Sequence, residues 1–115
     1  MRFNTALLHR NNRADGATGA TQTPIYQSGA FAHETAEELE EIFGNHRPGF
    51  SYTRINNPTV EAFERRVAAL EGGIGAVACA SGMAAVSLAA LNILREGDEI
   101  ISASGIFGGT IGLFH

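Results

Sequence analysis

Three groups of residues in this 115-residue sequence have the types and spacing to do chemistry. The first is Ser81-Gly82-Met83. It lies between a short apolar run, Ala76 to Ala80, and a long apolar segment with Val86, Ala89, Ala90, Ile93 and Leu94 at helical spacing. That pattern reads as strand, tight turn, helix. A helix opening off a parallel strand points its free N–H groups, and about half a positive charge, at the strand's end. Gly82 leaves the backbone bare, so an anion can approach. Taken alone, the turn is either a phosphate seat or simply a tight turn. The second group is Tyr52 and Arg54, which an extended backbone would project to one side. Arginine offers a planar fork of N–H groups and tyrosine one O–H, both suited to phosphate and both ordinary in a surface loop. The third is Phe107, in the glycine-rich loop Ser104 to Thr110, placed either to stack on a flat ligand or to fill a core.

Other reactive types carry less. His9, His33, His46 and His115 show no metal-ligand spacing. Cys79 sits inside the apolar run and reads as a packing residue. Gly72-Gly73-Ile74-Gly75 precedes the expected strand, so it suits a helix C-cap and not a dinucleotide fingerprint. All 8 basic residues are arginine. With no lysine in the sequence, chemistry that needs a lysine amine cannot be completed within this chain.

Around these groups the expected elements run in order. Thr5-Ala6-Leu7-Leu8, within Met1 to Arg13, is a short helical piece. Asp15 to Thr23 is a small, polar loop, and Pro24 to Gln27 is extended. Thr35-Ala36-Glu37-Glu38 has the form of a capping box and opens a helix through Leu39, Ile42 and Phe43, with Gly44 as its stop. Asn45 to Pro58 is a loop. Asn57 is an N-cap with Pro58 at the first helical position, and Val60, Phe63, Val67 and Leu70 mark one face of the helix that follows. Gly72-Gly73 ends it. The expected strand Ala76 to Ala80, the apolar helix and a second strand, Glu99 to Ala103, imply a right-handed crossover and a parallel pair. The loop after the second strand lies where ligands bind in open α/β sheets. The formal net charge of -4 gives no bulk attraction to nucleic acid or anionic lipid. The single cysteine suggests a reducing compartment, hence the cytoplasm. No signal peptide or membrane span is expected. The abrupt end at GTIGLFH suggests a piece of something longer.

Taken together, PIYQ (Pro24 to Gln27), YTRINNPT (Tyr52 to Thr59), LEGG (Leu70 to Gly73), ASGMAA (Ala80 to Ala85), Gly97-Asp98 and IFGGT (Ile106 to Thr110) occur in one order. In this the chain resembles the N-terminal quarter to third of the Cys/Met-metabolism family of pyridoxal-phosphate enzymes. The resemblance implies the α/β aspartate-aminotransferase-like (type I) fold of PLP-dependent transferases, truncated here. Residues 1–57 would be an arm reaching a neighbouring subunit, and 58–115 the start of the large cofactor-binding domain. It implies pyridoxal 5'-phosphate as cofactor and homo-oligomers built as dimers of dimers. Gly82 and Met83 of the Ser81 turn would give N–H groups to the cofactor phosphate, and Tyr52 and Arg54 would reach that phosphate from the neighbouring subunit. Phe107 stands where the family usually has a tyrosine stacked on the pyridine ring, which keeps the stacking and loses the hydroxyl. The family's Schiff-base lysine, its pyridine-pairing aspartate and its substrate-carboxylate arginine lie later than this chain extends.

Within the family, the short segment before Tyr52 most resembles O-acetylhomoserine sulfhydrylases, and Gly109 stands where many methionine γ-lyases have cysteine. The implied reaction is γ-replacement on O-acetylhomoserine by sulfide or methanethiol, giving homocysteine or methionine. Methionine or cystathionine γ-lyases and cystathionine γ-synthases are the alternatives inside the family. Outside it stand a stand-alone phosphate-binding module and an interaction fragment without catalysis, both favoured by the absence of lysine.

Overall fold

The structure is a computed structural model that describes residues 2–10 and 14–115. Among the described residues the helices are α1 (Phe3–His9), α2 (Ala36–Phe43), α3 (Pro58–Glu71), α4 (Gly82–Ile93) and α5 (Gly108–Phe114). Met1 and residues 11–13, the outer parts of the first expected helical piece, lie outside the described residues. The chain divides into two compact units, Met1–Val77 and Ala78–His115.

In the first unit α1 packs on α3 and buries Ala6. Between them the chain closes on itself. Phe31 N–H donates to the Ser51 carbonyl and Thr53 N–H to the Gly29 carbonyl, each at 3.0 Å. These bonds flank an isolated antiparallel bridge, Ala30 with Tyr52. The Thr53 hydroxyl donates to the Ser28 carbonyl, and the rings of Phe31 and Phe50 meet at 5.7 Å. Of the capping box of α2 the N-cap half forms as its sequence requires: Glu38 N–H donates to the Thr35 hydroxyl at 3.1 Å. The Glu38 carboxylate reaches back to the Glu34 N–H at 3.4 Å and also pairs with Arg47 at 2.8 Å. Gly44 is the C-cap, but the left-handed residue is Asn45, φ 56°. Asparagine tolerates that region better than most residues. The loop then returns so close to α2 that a Cβ on Gly49 would lie 2.5 Å from Ile42 Cδ1.

α3 starts and stops where its sequence says. The Asn57 side chain accepts from the Thr59 N–H at 2.9 Å, Pro58 occupies the first turn, and Gly72 closes the helix at φ 68°. The second unit holds α4, the Arg95 to Asp98 turn with Gly97 at φ 96°, and α5, which packs on α4.

The two expected strands are a correction. Neither Ala76 to Ala80 nor Glu99 to Ala103 belongs to a β-ladder, and no parallel pair forms. A strand is defined by its neighbours, and an isolated pair is marginal in water. Val77 and Ile101, the apolar residues that a sheet would cover, are 73% and 101% exposed. Cys79, expected to pack, is exposed for the same reason. The apolar face of α3 is only partly covered too, with Phe63 60% exposed.

The described residues bury few apolar side chains: Ala6, Ile42, Ala68 and Ala69. The accessible surface is 9389 Å². A compact monomer of 12.1 kDa exposes about 6,000 Å², and two separate compact units of these lengths about 7,200 Å² together. The excess is surface that asks to be covered. The chain by itself is accordingly expected to associate, and light scattering checks this. A well-behaved monomer with a cooperative thermal transition would contradict it. Asn57→Ala is expected to destabilise α3 and its junction by about 1–2 kcal/mol, the worth of a lost cap. Chemical denaturation followed by helical circular dichroism measures the loss.

Candidate functional site

In the second unit the anion seat is built from the backbone of one turn. Ser81 is extended, φ -153° and ψ 159°, and serves as N-cap of α4. Its hydroxyl accepts from the Ala84 N–H and its carbonyl from the Ala85 N–H, each at 3.1 Å. Of the four amides that a helix start leaves open, on Ser81, Gly82, Met83 and Ala84, the Ser81 hydroxyl takes that of Ala84, while the Ala85 bond is the first of the helix ladder. Those of Gly82 and Met83 have no protein acceptor among the described residues. A Cβ on Gly82 would meet nothing within 4 Å. No acidic residue stands in the first turn. α2 is the contrast, with Glu37 and Glu38 in its first turn already answering its dipole. The donor set at Ser81-Gly82-Met83 thus fits a phosphate.

α5 is tied to that turn. The Thr110 hydroxyl lies 4.0 Å from the Met83 sulfur, within reach of a weak O–H···S bond. Phe107 is the N-cap residue of α5, and its ring is 72% exposed. Of the two roles open to it, the core role is not taken. The ring is left largely uncovered, with surface available for stacking. Sequence reasoning missed Thr110. Its signal, a hydroxyl one turn into a glycine-rich helix start, is too common to single out.

In the first unit the structure brings Tyr52 and Arg54 together, but not along an extended backbone. Residues 52–55 form a turn in which the Tyr52 carbonyl accepts from Ile55 N–H at 2.8 Å and from Asn56 N–H at 3.1 Å. The turn places the Arg54 guanidinium carbon 5.4 Å from the centre of the Tyr52 ring. Both side chains are exposed. The turn is pinned from behind. The Asn57 amide donates to the Tyr26 carbonyl at 3.1 Å and to the Thr53 hydroxyl at 3.0 Å. The Thr59 hydroxyl accepts from Tyr26 N–H at 2.9 Å and reaches the Pro24 carbonyl at 3.3 Å. Asn57 is 4% exposed. It was recognisable as a cap, but its bond to Tyr26, thirty-one positions away, was not.

An open groove of about 560 Å³ in the same unit is lined by Asp15, Tyr26, Glu61 and Arg65 among others. It does not suit an anion. Arg65 is paired with Glu61. The Asp15 carboxyl is held below its ordinary range, first by the Thr18 hydroxyl that donates to it. The Tyr26 phenol, which donates to Asp15 at 3.2 Å, is pushed up by that bond. Among the described residues no group of histidine, cysteine and acidic side chains could hold a metal, and no helix is long and apolar enough to cross a membrane.

Comparison with known proteins gives the family. The model of the Cys/Met metabolism PLP-dependent enzyme family matches residues 4–115. The O-acetyl-L-homoserine sulfhydrylase of Corynebacterium glutamicum is 45% identical over 112 residues, 97% of this chain and 26% of that protein. The homocysteine synthase of Schizosaccharomyces pombe is 38% identical over 112 residues, again 97% of this chain and 26% of that protein. Among solved structures, a putative O-acetylhomoserine (thiol)-lyase from Campylobacter jejuni, which carries a pyridoxyl-lysine phosphate, superposes with a TM-score of 0.89 at 32% identity, covering 99% of this chain and 28% of that one. A cystathionine γ-lyase from Micromonospora echinospora gives a TM-score of 0.80 at the same identity and coverage. The chain thus spans about a quarter of the length of the relatives it matches. These matches show that the chain belongs to the Cys/Met-metabolism family of pyridoxal-phosphate-dependent enzymes and corresponds to the N-terminal part of their type I fold.

Proposed function

We propose that this chain is the N-terminal part of an enzyme that carries out γ-replacement on O-acetylhomoserine, in which acetate leaves and sulfide or methanethiol adds to give homocysteine or methionine. The observation that carries this reading is the 45% identity to an O-acetyl-L-homoserine sulfhydrylase across nearly the whole chain. The proposed setting is the cytoplasm, and the proposed assembly is a homo-oligomer, a dimer of dimers.

In this reading the residues divide the work by their chemistry. Gly82 and Met83 donate backbone N–H groups to the cofactor phosphate, and the Ser81 hydroxyl holds the turn that aims them. Tyr52 and Arg54 bring a phenol and a guanidinium to the phosphate bound in a neighbouring subunit, carried on an arm formed by residues 1–57. Residues 58–115 begin the large domain. The Phe107 ring covers one face of the pyridine and orients it by stacking alone, with no hydroxyl to hold or move a proton. Pyridoxal phosphate, when bound, supplies the electron sink for the substrate's carbanion. The amine that anchors it comes from outside these residues, since the sequence contains no lysine.

Arg54→Ala in the full-length enzyme is expected to weaken pyridoxal phosphate binding by about 1.5–3 kcal/mol, the worth of a hydrogen bond to a charged group. Arg65→Ala and Arg66→Ala should leave it unchanged, because Arg65 is already paired with Glu61 on the helix surface. Cofactor titration of the three variants decides, and equal affinities would reject the role of Arg54. The 115-residue chain by itself is expected to form no homocysteine from O-acetylhomoserine and sulfide. Product assay of the chain and of the full-length enzyme tests the function directly: turnover by the longer protein of a different substrate, with none of O-acetylhomoserine, would replace the sulfhydrylase reading by a lyase or synthase of the same family.

A further inference from the structure

α5 contains glycine at positions 108, 109 and 112, although glycine costs a helix interior about 1 kcal/mol relative to alanine. The three are not equivalent. A Cβ on Gly108 or Gly112 would meet nothing within 4 Å, so neither position needs glycine for space. A Cβ on Gly109 would lie 2.7 Å from Cε1 and 3.2 Å from Cδ1 of the Phe107 ring, and 3.5 Å from the Met83 sulfur. Carbon atoms pack best at about 3.5–4.0 Å, so the first contact is a collision and the second is tight. The ring and the sulfur flank the one point that a side chain at 109 would occupy. The ring is 72% exposed and has no packing to hold it against such a push. Met83 is held by Thr110. Of the two neighbours, it is the ring that would move.

We propose that Gly109 is the positioning residue for Phe107. Its missing side chain lets the ring fold back onto the start of α5 beside Met83, and any larger residue there turns the ring away. Resting on the function proposed above, this makes position 109 the setting for where the stacking ring stands beside the Gly82–Met83 seat. It also separates the two residues by role: Phe107 touches the ligand, and Gly109 acts only through Phe107.

The test needs no cofactor. The sequence has 2 methionines, Met1 and Met83, so methyl-labelled methionine gives one internal signal, readable even in an associated chain. With the ring beside it, the Met83 methyl is expected to be ring-shifted from the free-methionine position, and Phe107→Leu should abolish the shift. Gly108→Ala and Gly112→Ala should preserve it, and Gly109→Ala should abolish it as Phe107→Leu does. An unshifted Met83 methyl in the unaltered chain, or a shift that survives Gly109→Ala, would overturn the proposal. If Gly109→Ala loses the fold, the double variant Phe107→Ala/Gly109→Ala should regain it, because the ring is what collides; failure to regain it would also overturn the proposal. In the full-length enzyme, pyridoxal phosphate affinity is read separately. An enzyme that binds no pyridoxal phosphate counts against the proposed function and leaves the methyl result to stand on its own.

Discussion

Much of the first unit depends on how one buried amide is satisfied. Asn57 has one carbonyl oxygen and one NH2 group, and nearly all of their capacity is spent. The oxygen caps α3, and the two N–H donors reach Tyr26 and Thr53. A buried amide of this kind costs dearly when unpaired and gives directionality when paired. The start of α3, the extended segment near Tyr26 and the Tyr52 turn therefore cannot shift independently. The neighbouring Thr59 hydroxyl repeats the device by accepting from Tyr26 and donating to Pro24. Two adjacent polar side chains thus do what the sparse apolar core of this unit does not: they fix the relative positions of segments far apart in sequence.

Helix limits were legible because they are local. Thr35, Asn57 and Ser81 all cap as their types require, and Gly72 takes the left-handed conformation that a helix stop favours. The Ser81-Gly82-Met83 turn was equally readable, since two uncommitted amides follow directly from a capped helix start with no acid in its first turn. The Tyr52–Arg54 pair was found for a partly wrong reason. Alternation along a strand was expected, and a tight turn delivers the same proximity. The two expected strands do not form. Ala76 to Ala80 and Glu99 to Ala103 have the composition of buried parallel strands, but pairing is a property of neighbours and not of composition. The long-range bond of Asn57 left no periodic trace, and neither did the O–H···S contact of Thr110.

The uncovered apolar residues of the second unit share an origin with those strands. α4 carries apolar residues on most of its circumference, and none of them is buried. Leu91 and Ile93 are 78% and 76% exposed. A helix hydrophobic all round is an interior element. The chain matches about a quarter of each relative's length, and α4 has the surface of a part that works inside a larger body.

The stacking of Arg54 on Tyr52 has a consequence for how tightly an anion could be held. A free arginine side chain samples many rotamers, and fixing them on binding costs about 2 kcal/mol of entropy at most. Over the Tyr52 ring the guanidinium has already given up part of that freedom, in exchange for attraction to the ring's negative face. The turn therefore presents a guanidinium part of whose ordering was done during folding, so a phosphate arriving there would have less left to order than at a free side chain.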